Sequence, residues 1–320
     1  MHAILVRHYG GPEVMTWAAL PDPGHGPGEA LVRLAAAGVN FMDTATRSKP
    51  LPGWSVPTVL GVEGMGYVTA VGEEVRGLAV GDRVAWVYHP GSYAEQLAIP
   101  AESLVKVPDD VPDETAAAIM MQGLTANHFT TETHAIQPGD TAVVHAASGG
   151  VGLMLTQLIK ARGGTVIGLV SREEKVAVAK EAGADHVLVS SGGGFEEQVR
   201  ELTNGAGAHV VYDGGGPATF RSSQLALRRH GVHAYYGVLM GDMSFDPREL
   251  PNSILFSYPS FADHVPTREA LVRRTTELFD LVRSGQLVPR IGARYPLADA
   301  ARAHQDIESR RTTGKLLLLP

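Results

Sequence analysis

The sequence predicts an α/β protein that combines a doubly wound parallel sheet with a second, mostly antiparallel β domain. Residues 141–175 read as strand, helix and strand, and the same alternation continues to residue 236. Residues 1–108 contain short apolar runs between turns and show no such alternation. Because a chain of 320 residues is long enough for two domains, we assign the two patterns to separate domains.

The first part of the chain is predicted to form six short strands. Turn-forming sequences at 21–24, 71–72 and 80–82 separate the apolar runs. From residue 112 the pattern becomes helical, through an alanine run and a second stretch at 126–134. The predicted strands are 3–8, 29–38, 66–71, 83–88, 93–99 and 103–107.

The segment 141–175 carries a glycine-rich loop between its first strand and its helix. Against the dinucleotide-binding pattern G-x-G-x-x-G, Ala147 replaces the first glycine, and Gly149 and Gly152 occupy the other two places. Gly149 lets the backbone approach a pyrophosphate, Gly152 lets the helix pack on the strand, and N–H groups at the helix start hold the anion. The loop alone also fits a tight turn, but its flanking elements favour a nucleotide site formed by Ser148, Gly149, Gly150, Val151 and Gly152.

The end of the second strand, about 20 residues after the glycines, indicates the coenzyme. An acidic residue there would bind the ribose 2′-hydroxyl of NAD, but this chain has Val170 followed by Ser171, Arg172 and Lys175. Hydroxyl, guanidinium and ammonium groups suit a 2′-phosphate, so the predicted cofactor is NADPH. The alternative is that Ser171 and Glu174 form a capping box, with the two basic residues merely exposed.

The strand and helix alternation continues after residue 175. A final strand at the end of the chain should pair back into the first domain. Aromatic residues between 240 and 265 suit either core packing, a flat apolar substrate or a dimer edge. The predicted elements are helix 172–182, strand 186–189, helix 195–203, strand 208–212, helix 217–229, strand 231–236, helices 269–284 and 298–310, and strand 315–319.

Composition excludes several classes of function. The formal net charge is −7 and no long basic cluster occurs, so neither nucleic acid nor an anionic membrane is indicated as a partner. The chain has no cysteine, which excludes disulfides, thiolate metal sites and a cysteine nucleophile. Neither a signal peptide nor an apolar run of about 20 residues is found, and we therefore expect a cytoplasmic protein.

Five motifs together resemble one family, namely residues 37–43, 61–66, 80–84, 146–152 and 314–318. From residue 3 to residue 320 the chain resembles the zinc-free quinone oxidoreductase branch of the medium-chain dehydrogenase/reductase superfamily. The resemblance implies a GroES-like catalytic domain, mostly antiparallel, into which a Rossmann NADP(H)-binding domain is inserted. The implied domains are 1–121 plus 259–320 for the first and 122–258 for the second. Dimers are frequent in this family, so we expect a homodimer.

Zinc-dependent members of the superfamily hold catalytic zinc with a cysteine, a histidine, and a cysteine or acid. The matching positions in this chain are Asn40, Val62 and a third near Met121, and none is a usual zinc ligand. No pair of histidines encloses a glutamate in the spacing of a helical zinc site. We therefore predict no metal, and hydride transfer that relies on positioning and hydrogen bonds.

The resemblance also implies site residues. Those matching Asn40 and Asp43 lie near the nicotinamide, where an amide can donate to a substrate oxygen as it gains electron density. Thr125 matches a residue near the cofactor, and main chain around Tyr236 and Gly237 meets the nicotinamide amide. The alternative for Asn40 is a turn residue that satisfies nearby backbone.

Two departures from the family's pattern concern coenzyme and substrate. Ala45 stands where many relatives carry a tyrosine, which removes a candidate proton donor or quinone stacker. Ser190 stands where several relatives place a tyrosine against the adenosine phosphate, which weakens the inference of NADPH. Tyr93 is interpreted as a packed loop residue, with the cleft as the alternative.

Three classes of function remain. The leading class is an enzyme that moves hydride from NADPH to a quinone, or to an activated alkene such as an enone or enoyl thioester. The second is a hydrolase, because residues 146–150 resemble a nucleophile elbow with one glycine replaced. The third is a cofactor-binding protein without catalysis. The small-molecule substrate itself is not specified by the sequence.

Overall fold

The computed structural model describes all 320 residues. It divides into two compact units. Unit 1 comprises Met1–Met121, Thr267–Ser284 and Pro289–Pro320, and unit 2 comprises Gln122–Pro266 and Gly285–Val288. Residues 259–266 thus group with unit 2, whereas the sequence-based boundary assigned them to the first domain, and the exact domain limits stay a prediction.

The chain forms sixteen strands and nine α-helices, joined by 3₁₀ and π turns. The strands are β1 His2–Val6, β2 Thr16–Ala19, β3 Glu29–Val39, β4 Thr58–Val59, β5 Glu63–Val71, β6 Arg83–Val87, β7 Gln96–Pro100, β8 Val105–Lys106, β9 Thr141–Val144, β10 Thr165–Val170, β11 His186–Val189, β12 Ala208–Asp213, β13 Leu227–Tyr235, β14 Leu255–Ser257, β15 Ile291–Pro296 and β16 Lys315–Leu319. The helices are α1 Phe41–Ser48, α2 Asp113–His128, α3 Gly150–Ala161, α4 Val176–Glu181, α5 Glu196–Leu202, α6 Pro217–Leu225, α7 Phe261–His264, α8 Arg268–Arg283 and α9 Ala300–Glu308. No helix is both long enough and apolar enough to span a bilayer.

Unit 1 is built on a seven-stranded sheet in the order β15-β16-β3-β5-β6-β8, with β7 also paired to β3. All of its pairs are antiparallel except β15 with β16. β3 alternates inward apolar residues, so Val32 and Leu34 lie in a core with Trp86, Leu316 and Leu318. The pairing of β16 with β3 confirms the prediction that the chain returns to its first domain.

Unit 2 contains a six-stranded sheet in the order β11-β10-β9-β12-β13-β14. Every pair in it is parallel. Its central strands are continuous buried runs, as expected for a parallel sheet covered on both faces. The strand order reverses between β9 and β12, and such a reversal opens a crevice at the carboxyl ends of the strands. The predicted α/β fold class is confirmed.

Several element boundaries differ from the sequence prediction. The predicted helix 217–229 ends at Leu225, because the next residues enter the long strand β13 and pair with β12. The predicted helix at 126–134 is the last turn of α2 followed by a π turn, Phe129–Thr133. The strands β2, β4, β14 and β15 were not predicted, and the first three have only two to four residues each.

The helix α1 was also not predicted. Its buried residues are mostly polar or small, so the segment has no apolar stripe that would indicate a helix: Asp43, Thr44, Ala45, Thr46 and Arg47. Its polar groups find partners inside unit 1, which is what permits their burial.

Candidate cofactor and substrate site

The glycine-rich loop of unit 2 joins β9 to α3 as predicted. Gly149 is the N-cap residue of α3, and no side chain caps the helix start, which leaves N–H groups of its first turn available to an anion. A Cβ atom at Gly152 would overlap the carbonyl oxygen of Ala146, and one at Gly150 would overlap the side chain of Gln122. The Ala146 oxygen belongs to the backbone, so only glycine fits at Gly152, whereas the flexible Gln122 side chain can move away from position 150. The close approach of helix to strand agrees with the predicted role of Gly152.

The loop does not behave as a nucleophile elbow. The side chain that such a hydrolase would expose belongs to Ser148, which is only 3% exposed. The left-handed residue of this turn is Ala146, with φ of 47°, and not the serine. The geometry of the loop gives the hydrolase alternative no support.

A buried carboxylate lies beside the loop, at the end of β12. Asp213 Oδ1 is 3.1 Å from Nδ1 of His145, which follows β9, and Oδ2 accepts a 2.7 Å hydrogen bond from the hydroxyl of Ser223. His233 Nε2 on β13 lies 3.2 Å from Oδ2. Burial alone would raise the pKa of Asp213, but the charge of His145 and these hydrogen bonds hold it below its ordinary value. The network ties together the ends of β9, β12 and β13, where the strand order reverses.

Asp213 also shapes the turn that follows it. Its Oδ1 accepts hydrogen bonds from the backbone N–H of Gly215 at 2.8 Å and from the hydroxyl of Thr219 at 2.7 Å. The sequence indicated a strand end before three glycines, but it did not identify Asp213 as the residue that holds them. The signal that could have identified Asp213 is its position, as an acidic residue between a strand and a run of glycines.

The predicted nicotinamide contacts lie against the same turn. The backbone N–H of Tyr236 donates to the carbonyl of Asp213 at 2.9 Å, and a Cβ atom at Gly237 would lie 2.5 Å from the N of Gly216. The Tyr236 ring packs on Phe129, with ring centroids 5.1 Å apart. Thr125 lies half-buried on α2. The structure thus brings Tyr236 and Gly237 to the glycine turn, as main chain that a dinucleotide could approach.

The residues predicted to bind a 2′-phosphate follow β10. Ser171 and Arg172 are exposed, whereas Lys175 is only 7% exposed. Burial, followed by the positive charge of Arg172, lowers the pKa of Lys175. The helix start has Arg172 as its N-cap residue and no side-chain cap, so the predicted capping box of Ser171 and Glu174 is not formed. Two cations held together, one of them buried, form a site that favours an anion.

Asn40 lies in unit 1 as the N-cap residue of α1 and is 5% exposed. Its Nδ2 donates to Glu63 Oε1 at 2.7 Å, and its Oδ1 accepts from Lys315 Nζ at 2.9 Å. Lys315 and Glu63 form a fully buried ion pair, and Glu63 Oε2 also accepts from the N–H of Met121 at 2.7 Å. The Asn40 amide has two N–H donors, so one remains beyond the bond to Glu63. The sequence did not indicate Glu63 and Lys315 as its partners.

Asp43 begins a chain of buried hydrogen bonds. Its Oδ2 accepts from the backbone N–H of Asn40 at 2.8 Å and from the hydroxyl of Tyr93 at 3.0 Å. The Tyr93 oxygen lies 3.2 Å from His304 Nε2, and Arg47 donates to His304 Nδ1 at 2.9 Å. Because guanidinium is only a donor, the ring proton of His304 is assigned to Nε2. Tyr93 is thus a packed residue, as interpreted from the sequence, but it is also part of this chain.

Burial shifts the titration of this chain of groups. It raises the pKa of Asp43 to about 7, despite the hydrogen bond from the Asn40 backbone and the charge of Lys315. It lowers the pKa of His304 to about 3, with Arg47 as the second cause, so the imidazole is neutral at physiological pH. The second oxygen of Asp43, Oδ1, is buried without a hydrogen-bond partner.

The positions that matched zinc ligands carry other contacts. Val62 is fully buried in an apolar core, and the Asn40 amide is engaged by Glu63 and Lys315.

The two residues that depart from the family's pattern lie in different units. Ala45 is buried on α1 in unit 1. In unit 2, the Ser190 hydroxyl donates to the carbonyl of Gly192 at 2.7 Å, within a local turn.

Two half-buried aromatic residues of the segment 240–265 pack on the buried ring of Phe220. Phe245 and Phe256 pack on Phe220, with ring centroids 5.2 and 5.8 Å away. Tyr258 is 58% exposed and is not part of that cluster.

Comparison with known proteins agrees with this architecture. The alcohol dehydrogenase GroES-like domain family matches residues 26–109, and the zinc-binding dehydrogenase family matches residues 150–261. A quinone oxidoreductase of Pseudomonas aeruginosa is 39% identical over 316 residues, covering 98% of this chain and 97% of the relative. A 2-haloacrylate reductase of a Burkholderia species is 35% identical over 328 residues, covering 99% of this chain and 98% of the relative.

A solved structure also resembles this chain over its whole length. Escherichia coli quinone oxidoreductase complexed with NADPH superposes with a TM-score of 0.95 at 35% identity, and the match covers 100% of both chains. Both the arrangement of strands and the whole length of the sequence are therefore shared. The chain belongs to the quinone oxidoreductase branch of the medium-chain dehydrogenase/reductase superfamily.

Proposed function

We propose that this protein is an NADPH-dependent oxidoreductase that reduces a quinone without zinc. The observation that carries the proposal is the match, over the whole chain, to a quinone oxidoreductase solved with NADPH. The reversal of strand order between β9 and β12, with a glycine loop and an uncapped helix start beside it, supports a dinucleotide at that edge of the sheet.

The residues of unit 2 fit NADPH by their chemistry. The start of α3, formed by Gly149 to Gly152, would hold the pyrophosphate through backbone N–H groups. Ser171, Arg172 and Lys175 would hold the 2′-phosphate, because two of them are cations and the third is a hydroxyl. Main chain at Tyr236 and Gly237 would meet the nicotinamide, and Thr125 would lie near it.

NADPH would supply a hydride, and reduction of a quinone to hydroquinone needs that hydride and one proton. We propose that Asn40 donates its remaining amide N–H to the substrate oxygen on which negative charge develops. Its bonds to Glu63 and Lys315 hold the amide in one orientation, so little reorganisation is needed. Asp43 acts through Asn40, since it accepts the backbone N–H of that residue.

Reduction of an activated alkene is the second candidate. It has the support of the full-length match to 2-haloacrylate reductase. A conjugated alkene that accepts hydride at its β-carbon also develops negative charge on the carbonyl oxygen, so the same amide donor would serve both reactions. An NADPH-binding protein without turnover is the remaining, remote alternative.

The test is a panel of substrates in one assay. NADPH consumption is measured with quinones, enones, enoyl thioesters, 2-haloacrylate and alcohols, and kcat/KM is compared across the classes. We expect the highest kcat/KM with a quinone and none with alcohols. A highest value with alkenes would move the assignment to the second candidate, and no turnover with any class would favour the third.

The homodimer and the cytoplasmic location remain predictions from the sequence. Light scattering after size exclusion tests the first, where a mass twice that of the 33.9 kDa chain is expected. A mass of one chain would contradict it.

A further inference from the structure

Two histidines and a glutamate meet in unit 2, in a cluster that the proposed reaction does not use. His128 ends α2, Glu132 lies in the π turn that follows it, and His264 ends α7. Glu132 Oε2 is 3.0 Å from Nδ1 of His128 and 2.9 Å from Nδ1 of His264. The centroids of the two imidazole rings lie 4.8 Å apart.

The donor set is one that binds transition metals. Two imidazole nitrogens and one carboxylate oxygen suit Zn²⁺, and imidazole is also a good ligand for Co²⁺, Ni²⁺ and Cu²⁺. The three ligand atoms all lie within 4.8 Å of one another. Tetrahedral Zn²⁺ with bonds of about 2.0–2.1 Å places its ligand atoms roughly 3.3 Å apart, so small side-chain rotations would complete the geometry.

The local backbone brings these ligands together. His128 and Glu132 are four residues apart, a spacing that places both side chains on one side of a helix. The π turn Phe129–Thr133 continues the end of α2 and carries Glu132. His264 comes from a separate helix 132 residues away from Glu132 in sequence, so the cluster exists only in the folded chain.

Burial gives the site an inner and an outer side. The imidazole side chains of His264 and His128 are 0% and 9% exposed, whereas the Glu132 side chain is 38% exposed. A metal could therefore enter beside the carboxylate and keep a water molecule as its fourth ligand, as in open zinc sites. Without metal, the same carboxylate accepts the Nδ1–H groups of both rings, and binding at Nδ1 moves each ring proton to Nε2.

We propose that His128, Glu132 and His264 form a binding site for a divalent transition metal, with Zn²⁺ as its ligand in solution. The bound ion ties α7 to the end of α2 and so stabilises unit 2. The proposed hydride transfer uses none of these three residues, and the site replaces the sequence-based prediction that the chain binds no metal. The proposal does not depend on the substrate of the enzyme.

The test measures metal binding to untagged, chelator-treated full-length protein. Zn²⁺ is titrated by calorimetry, Co²⁺ is titrated by its visible absorption, and the melting temperature is recorded with and without Zn²⁺. The variants are Glu132→Gln and His264→Gln. The matched control is His134→Gln, because His134 lies in a second histidine–carboxylate cluster, with its Nε2 3.0 Å from Asp140 Oδ2.

We expect one Zn²⁺ per chain for the wild type and the control, with a higher melting temperature when Zn²⁺ is bound. Both ligand variants should bind at least about 10-fold more weakly and lose the thermal shift. Absence of saturable binding in the wild type, or ligand variants that bind as tightly as the control, would overturn the proposal. Circular dichroism checks folding, and if His264→Gln does not fold, the result with Glu132→Gln decides.

Discussion

Lys175→Ala is expected to weaken NADPH binding while leaving NADH binding nearly unchanged. Lys175 is only 7% exposed, and burial together with Arg172 already lowers the pKa of its ammonium group. A phosphate beside it would offset both unfavourable effects, because it supplies the opposite charge in a site shielded from water. NADH has no 2′-phosphate, so it gains nothing from this residue.

The structure predicts that Lys175 contributes more to NADPH affinity than Arg172 does. A hydrogen bond to a charged group contributes roughly 1.5–3 kcal/mol, which corresponds to about 10- to 150-fold in affinity. Because Lys175 is buried, we expect its loss to lie near the upper end, on the order of 100-fold. Arg172 is exposed and already 3.8 Å from Glu174, so Arg172→Ala should cost only about 10-fold.

The assay is a fluorescence titration of each variant with NADPH and with NADH. Lys180→Ala is the matched control, because Lys180 is an exposed lysine on the next turn of the same helical segment. Val170→Asp should shift preference toward NADH by supplying the acid that binds a ribose 2′-hydroxyl. A wild type that prefers NADH, or variants that lose both coenzymes equally, would refute the assignment of this site to a 2′-phosphate.

Three further predictions concern unit 1. Asn40→Ala should lower kcat by roughly 10-fold or more, as measured by steady-state kinetics. The NADPH dissociation constant, measured by titration, should stay within about twofold of the wild-type value. An unchanged kcat would leave Asn40 with a purely structural role. The pKa of Asp43, raised from 3.8 to about 7 mainly by burial, means that the folded chain binds this proton more tightly than the unfolded chain. The free energy of unfolding should therefore fall as pH rises from about 4 to 7, by up to on the order of 4 kcal/mol. Asp43→Asn should flatten this part of the stability-versus-pH curve measured by urea unfolding. The same slope in both proteins would contradict this prediction. Treatment with a strong chelator should leave kcat/KM unchanged, because Asn40, Val62 and Met121 offer no catalytic zinc site, and lost turnover restored by Zn²⁺ would show the opposite.

The parallel sheet could be predicted because its signals are local. Strands such as β9 and β10 are continuous apolar runs, and the glycines of the loop between β9 and α3 stand at fixed spacing from them. The helix α1 could not be predicted, because its buried residues are polar or small and lack an apolar period. The short strands β2 and β4 depend on pairing with β1, which no local pattern reveals.

The residues of the candidate site also differ in how well the sequence predicts them. The residues after β10 are adjacent in sequence, so their charge pattern was visible. The hydrogen bonds of unit 1 join residues far apart in the chain: His304 is 211 residues from Tyr93 and 257 residues from Arg47. A single sequence carries no signal for such a pair, because each residue alone also fits an ordinary surface or core position.

The buried partners of Asn40 determine how its variant must be interpreted. Alanine removes the donor to Glu63 and the acceptor of Lys315 together, so part of the ion pair's hydrogen bonding is lost and stability should fall. A fall in kcat alone would therefore not separate a missing contact to substrate from a displaced lysine. Asn40→Ser keeps a small polar group near both partners but cannot reach a substrate oxygen in the same way. Equal losses of kcat in the serine and alanine variants, with stability lost only in the alanine variant, would assign the catalytic effect to the amide itself.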